Sequence, residues 1–252
     1  MVGNFSEAFA GIFSGLLAVC SLRFPFYVQS GIAFIGIPAA IALTEHAAKT
    51  RIKNSFANIM KIIQYSLFTN KELCYNIMFS GVIGAATLTM AWFVQPLLIE
   101  LDTPTSWFGI IWTILNLTVG ISALYSDKLD QRLGSLRMYA FILFFIVGGY
   151  IAVAFNISYV GLICLFFFYI VRGFATPILK GYINQITFSE MRATVLSIRN
   201  FVIRLMFAAM APLVGWLHDL YSLSIALQAT AVIIFVPGLL FLILQWRYSK
   251  KV

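Results

Sequence analysis

The stretch FFFYIVRGFATPILKG, residues 166–181, sets one arginine, Arg172, inside a run of side chains suited to hydrocarbon. A guanidinium at the centre of a membrane helix costs roughly 2.5–3.5 kcal/mol on insertion scales, so it needs a partner or a water-filled cavity. The composition around it fixes the class. Of 252 residues, 61% are hydrophobic and 10% charged, and the mean hydropathy is +0.93. Such a chain is an integral, multi-pass membrane protein whose first partner is the lipid bilayer. The 24 Phe and 17 Gly suit aromatic anchoring and close helix packing in lipid.

A span needs about 20 mostly apolar residues. Eight stretches qualify, at 5–22, 26–44, 74–98, 107–126, 138–155, 159–180, 194–217 and 224–246. The expected fold class is therefore all-α, a polytopic membrane helix bundle of about eight transmembrane helices. Basic residues mark the cytoplasmic side. The turns on the side of the termini hold Lys49, Arg51, Lys53, Lys61 and Lys71, then Lys128, Arg132 and Arg137, then Lys180 and Arg192, then Arg247, Lys250 and Lys251. The opposite turns hold Arg23, and ELDTPTS at 100–106 is acidic. Both termini are expected in the cytoplasm. The net charge of +8 follows from this bias and calls for no nucleic acid.

The loop after the second span carries a helical stripe. Ile52, Phe56, Ile59, Met60, Ile63 and Leu67 recur at helical spacing, with Asn54, Asn58 and Lys61 opposite and Lys53 and Gln64 on the flanks. This predicts an amphipathic helix on the cytoplasmic interface, or one packed on a soluble partner. Cys20, Cys74 and Cys164 are scattered and read as buried apolar residues. His46 and His218 lack metal-pair spacing, so no metal site is expected. No basic start or cleavage pattern precedes the first span, which is expected to direct insertion itself.

Two spans, a basic connector and six spans form the pattern in which a family comes into view. The turn YSDKLDQRLGSLRM, with Asp127, Arg132, Gly134 and Arg137, is similar to the signature turn of the major facilitator superfamily, with looser spacing. The stretch SEMRATVLSIRNFVIRLMFAAMAPLVGWLHD, with Arg192, Pro212, Gly215 and Asp219, resembles that family's eleventh helix. AWFVQPLLIEL resembles the end of the seventh. The resemblance implies two helices ending an N-terminal lobe at 1–45, a cytoplasmic connector at 46–72 and a complete six-helix C-terminal lobe at 73–252. It implies a secondary active transporter (permease) of a small solute working by alternating access, without a cofactor, in a bacterial inner (plasma) membrane. It also leaves nothing for helices one to four. A fragment, a split carrier with a missing N-terminal lobe or second chain, and a non-transporting structural or regulatory partner all stay open.

The signature turn also has a reading of its own. Gly134 permits a tight reversal, and Asp127 can accept from Arg132 or from N–H groups at a helix start. The family's pseudo-symmetry would place the opening of the chain beside it, at Asn4, Phe5, Ser6 and Glu7. A twin latch near Arg192 would lose its neighbour. The competing reading is that these charges are solvated positive-inside residues.

Arg172 itself lies about 12 Å from the expected cytoplasmic end, beyond easy snorkelling. Tyr169 at i−3 and Thr176 at i+4 extend its face, Gly173 allows another helix to approach, and Pro177 invites a kink. The seventh span repeats the pattern with Ser197, Asn200 and Arg204, the last roughly 18 Å in from Arg192. Arg199 falls on another face, near enough to the border to snorkel. Trp92 and Gln95 share a face with Thr89 at its edge, and Thr113, Asn116 and Gly120 line up in the fourth span. These stripes are expected to face inward onto a substrate cavity. Packing or anchoring competes for Trp92 and Tyr169, and an interhelical hydrogen bond for Asn116.

All nine acids, Glu7, Glu45, Glu72, Glu100, Asp102, Asp127, Asp130, Glu190 and Asp219, lie near span ends or in turns. Arg172 and Arg204 are then left with an acid on absent helices, with backbone carbonyls and water, or with an anionic solute. An enzyme would need paired acids, a nucleophile or a metal set facing one cavity. Neither HExxH nor GxSxG occurs, so no catalytic role is expected.

Overall fold

The computed structural model describes residues 2–21, 23–42 and 56–249. They form ten α-helices: α1 Val2–Cys20, α2 Phe24–Ala42, α3 Phe56–Gln64, α4 Lys71–Glu100, α5 Thr105–Leu124, α6 Ser126–Leu133, α7 Ser135–Phe155, α8 Tyr159–Gln185, α9 Arg192–Leu220 and α10 Leu223–Ser249. A π-helical segment, Tyr65–Thr69, joins α3 to α4. No strand occurs among the described residues.

Seven helices, α2, α4, α5 and α7 to α10, are long and apolar enough to cross a membrane. The chain is a multi-pass helical membrane bundle. The count among the described residues is seven rather than about eight: α1 covers the first expected span but opens on the polar Asn4, Ser6 and Glu7. Several helices also outrun their apolar stretch. α4 extends three residues before the expected 74 and α8 runs on to Gln185, because polar residues beyond the hydrocarbon continue the helical hydrogen bonding at no solvation cost.

Local signals set the boundaries. Asn70 starts α4 by accepting from the Leu73 amide at 3.1 Å, and Ser158 starts α8 by accepting from Val160 at 3.2 Å. After α4 the chain turns through Asp102 at φ 50°, with the Thr103 amide donating to the Leu98 carbonyl at 3.0 Å. A left-handed residue past the last turn stops a helix, and Pro104 then prevents its resumption. Gly134 takes φ 75° between α6 and α7, the sharp reversal its position predicts. The turn around it is not all loop, since 126–133 winds into α6.

At the centre, α4 packs on α9 and α10 and touches α7 and α8; α7 packs on α8 and α10, and α5 on α8 and α1. Leu115, Ile142, Ile146 and Leu165 are among the core residues with no exposure. Tyr150, also fully buried, donates from α7 to the Ala86 carbonyl on α4 at 2.6 Å, so its hydroxyl costs the core little. Phe144, Phe167, Val232 and Val236 point outward. In water they would form a large apolar patch; in a bilayer they meet hydrocarbon. A second cluster joins Leu73, Ile77, Val195 and Val202 to Ile62, Ile63 and Leu67.

The connector departs in part from its expected stripe. Ile63 and Leu67 pack on the bundle, while Phe56, Ile59 and Met60 remain exposed. The π segment widens the helix at Tyr65–Thr69 and turns Ile62 and Tyr65 toward the bundle. Glu45, His46, Lys49, Arg51, Ile52, Lys53 and Asn54 lie outside the described residues, as do Lys250 and Lys251.

Candidate functional site

Because α8 runs from Tyr159 to Gln185, Arg172 sits thirteen residues from each end, about 20 Å from either. That is deeper than the sequence alone placed it. Its guanidinium carbon lies 5.1 Å from the centroid of the Tyr169 ring, one turn earlier on the same face. A cation over an aromatic face out of water is stabilised by roughly 2 kcal/mol. Tyr169 is fully buried, and its hydroxyl has no hydrogen-bond partner. The Arg172 Nη1 is likewise buried and unpartnered. Among the described residues no third group reaches either atom within hydrogen-bonding distance; the guanidinium and the tyrosine are each other's nearest polar company, and a buried polar group without a full set of partners costs about 1–3 kcal/mol.

The neighbours of this pair are set by small residues. A Cβ on Gly173 would stand 2.7 Å from the Val119 carbonyl oxygen, so only glycine lets α5 run this close beside Arg172. Glu7, on the side of α1 facing α5, lies within electrostatic reach of Tyr169. Thr176 is exposed, its hydroxyl 3.5 Å from the Arg172 carbonyl oxygen.

The other expected cavity residues divide. Thr89 is buried and donates to the Ala85 carbonyl at 3.0 Å. Asn116 is buried too, but its amide donates at 3.0 Å to the Trp112 carbonyl one turn back, inside its own helix. That corrects the expected interhelical bond: the carbonyl at i−4 is always within reach of a helical Asn, whereas a partner helix must supply one at the right height. Trp92, Gln95, Asn200 and Arg204 are exposed. They line the surface of α4 and α9 and share no enclosed cavity with Arg172 among the described residues.

Arg199 is a second correction. It does not snorkel: it is 4% exposed, and its Nε donates to Ser80 on α4 while Nη1 donates to the Asn200 side chain at 3.2 Å. At roughly 10 Å from the start of α9 the side chain can reach the border, but Gly81 and Gly84 draw α4 against α9 and enclose it.

The expected gate is built differently as well. Asp127 and Arg132 are both exposed and form no ion pair among the described residues. They stand at opposite ends of α6, five residues apart, and residues at that spacing lie on different sides of a helix. Asp130 is the acid that engages, accepting a hydrogen bond from Tyr182 on α8. Arg137 is exposed, and Arg192 Nη2 donates to the Asn184 carbonyl at 3.2 Å, tying the start of α9 to the end of α8. The side chains of Asn4 and Phe5, expected beside this turn, lie outside those described.

Sequence reasoning missed the layer behind Asp130. Tyr139 on α7 donates to the Asn76 side chain on α4, and its ring lies 5.2 Å from that of Tyr182. The signal was present as two tyrosines, Tyr139 and Tyr182, and an amide, Asn76, beside apolar runs, but its meaning depends on which helices adjoin. No family model matches this chain, and no curated protein matches it either.

Proposed function

We infer that this chain is the working part of a secondary active transporter of the major facilitator type, carrying a small solute by alternating access. The observation that carries this reading is the Arg172–Tyr169 pair at the middle of a membrane bundle, a buried cation and hydroxyl with no acceptor from any other described residue. Unsatisfied donors in hydrocarbon are costly, and function is the usual reason they persist. Their chemistry suits an anionic solute, whose oxygens would accept from both. The basic turns favour a topology with both termini in the cytoplasm, and a bacterial inner membrane is the proposed location. The role is transport rather than catalysis.

The test is thermal stabilisation of the detergent-solubilised chain by inorganic phosphate and by mono-, di- and tricarboxylates. A saturable rise in melting temperature with one of these, lost in Arg172→Ala, is the expected result. Stabilisation unchanged by the substitution would assign Arg172 a structural role.

A second reading has its own observation. Asn200 and Arg204 are exposed roughly 12 and 18 Å along α9 from its start, where hydrocarbon would not solvate them, and Gln95 is exposed nearer the end of α4. A complementary wall of helices would cover them, so a structural or regulatory partner of a full-length or split carrier is the alternative. Co-purification with a second membrane chain, without stabilisation by any anion tested, would favour it.

A further inference from the structure

At the end of the bundle that bears the basic turns, the ends of α4, α7, α8 and α10 enclose a cavity of about 280 Å³. Its chemistry is opposite to its surroundings. Glu72 is the charged residue in its lining, and Glu72 has no hydrogen bond or ion pair to its carboxylate among the described residues. Gln245 also lines it, with a buried side-chain oxygen that has no partner. Tyr139, Tyr182 and Tyr248 supply aromatic surface, and the hydroxyls of the first two are already committed to Asn76 and Asp130. The neutral polar side chains of Ser135 and Gln185 and the Tyr248 hydroxyl can donate or accept, so the one fixed charge in the lining is a carboxylate, no cation lines the cavity, and Asp130 adds negative charge behind Tyr182.

A ligand matching that set donates hydrogen bonds, carries positive charge and presents a small apolar body. We propose that this cavity binds an alkylammonium group, with the ammonium between Glu72 and Gln245 and the adjoining carbons against the tyrosine rings. Charge-assisted bonds to a carboxylate and contact with aromatic faces are the two means by which proteins hold such cations. The volume lies just under the usual range for small-molecule sites, which suits a short amine or a headgroup rather than a large ligand. The ammonium has two sources, a free small amine and the headgroup of an aminophospholipid. The second is within reach because an apolar groove of about 330 Å³, lined by Ala140, Leu242, Ile243 and Trp246, adjoins the cavity across the shared Leu136.

The experiment titrates n-butylammonium chloride into the full chain in dodecylmaltoside and reads melting temperature and binding heat, with 1-butanol and sodium butyrate as comparators. Saturable binding of the amine alone is expected, weakened at least about tenfold by Glu72→Gln and retained by Glu72→Asp. Glu72 also sits in the first turn of α4, where its charge favours the helix. Should Glu72→Gln not fold, Gln245→Leu carries the test with an expected loss of about threefold to tenfold. Equal stabilisation by butanol, or binding indifferent to the variants, overturns the proposal. Repeating the titration with phosphatidylethanolamine in the micelle assigns the source: competition with the amine identifies the headgroup, and an unshifted curve identifies a free amine.

Discussion

Gly109 of α5 and Gly11 of α1 meet backbone to backbone: a Cβ on Gly109 would come within 2.6 Å of the Gly11 carbonyl oxygen. Gly15, one turn further along α1, lies as close to the same position, with its Cα 3.1 Å from that Cβ. Spacing small residues four apart lets two membrane helices approach until dispersion and weak Cα–H contacts replace side-chain packing. Glu7 precedes Gly11 by one turn on the same stripe, so this crossing sets where Glu7 stands relative to Tyr169.

Gly109→Val therefore forces α1 off α5. A loss of about 1–3 kcal/mol is expected, read as a lower melting temperature in detergent. Gly148→Ala, where an added Cβ meets nothing within 4 Å, is the control and leaves the melt unchanged or slightly raised.

The Arg199 and Ser80 pair gives a different signature. Ser80→Ala leaves the buried Arg199 Nε without its acceptor, with only the Asn200 bond remaining among those described, and costs roughly 1–3 kcal/mol. Replacing both, as Arg199→Met with Ser80→Ala, removes the charge along with its acceptor and recovers much of that loss. A double-mutant cycle with coupling near zero would mean that the contact does not hold α4 to α9.

Tyr182→Phe releases Asp130 and with it the tether from α6 to α8. Hydrogen exchange at 126–133 accelerates by about tenfold while α7 and α8 are unaffected, since a bond to a charged acceptor contributes roughly 1.5–3 kcal/mol. Unaltered exchange in α6 would show that its contacts with α7 and α8 suffice.

Orientation is checked with single cysteines in a chain whose own three are replaced. Ser106→Cys, beside the acidic turn, reacts with an impermeant maleimide in intact cells. Gln131→Cys, in α6, reacts only after permeabilisation. Both sites are exposed, so the contrast reports sidedness and not burial. The reverse pattern overturns the proposed topology.

The long apolar helices, their order and the basic end were legible in the sequence; the short α6 and the marginal character of α1 as a span were not. An apolar run in lipid must satisfy its own backbone, and helix is the local way to do so. The reversal at Gly134 and the close approach at Gly173 were legible too, because each depends on a missing Cβ. The roles of the arginines were not. Arg172, Arg199 and Arg204 all interrupt apolar runs, and periodicity alone ranked Arg204 above Arg199 as an inward residue. The tertiary structure reverses that order: Ser80, Gly81 and Gly84 on α4 enclose Arg199, while Arg204 faces out. The cavity beneath Tyr139 likewise needs four helix ends that lie far apart in sequence. Local backbone chemistry determined that this chain is a membrane bundle; only the packing of distant helices decided which polar side chains are paired, which are bare and which enclose a cavity.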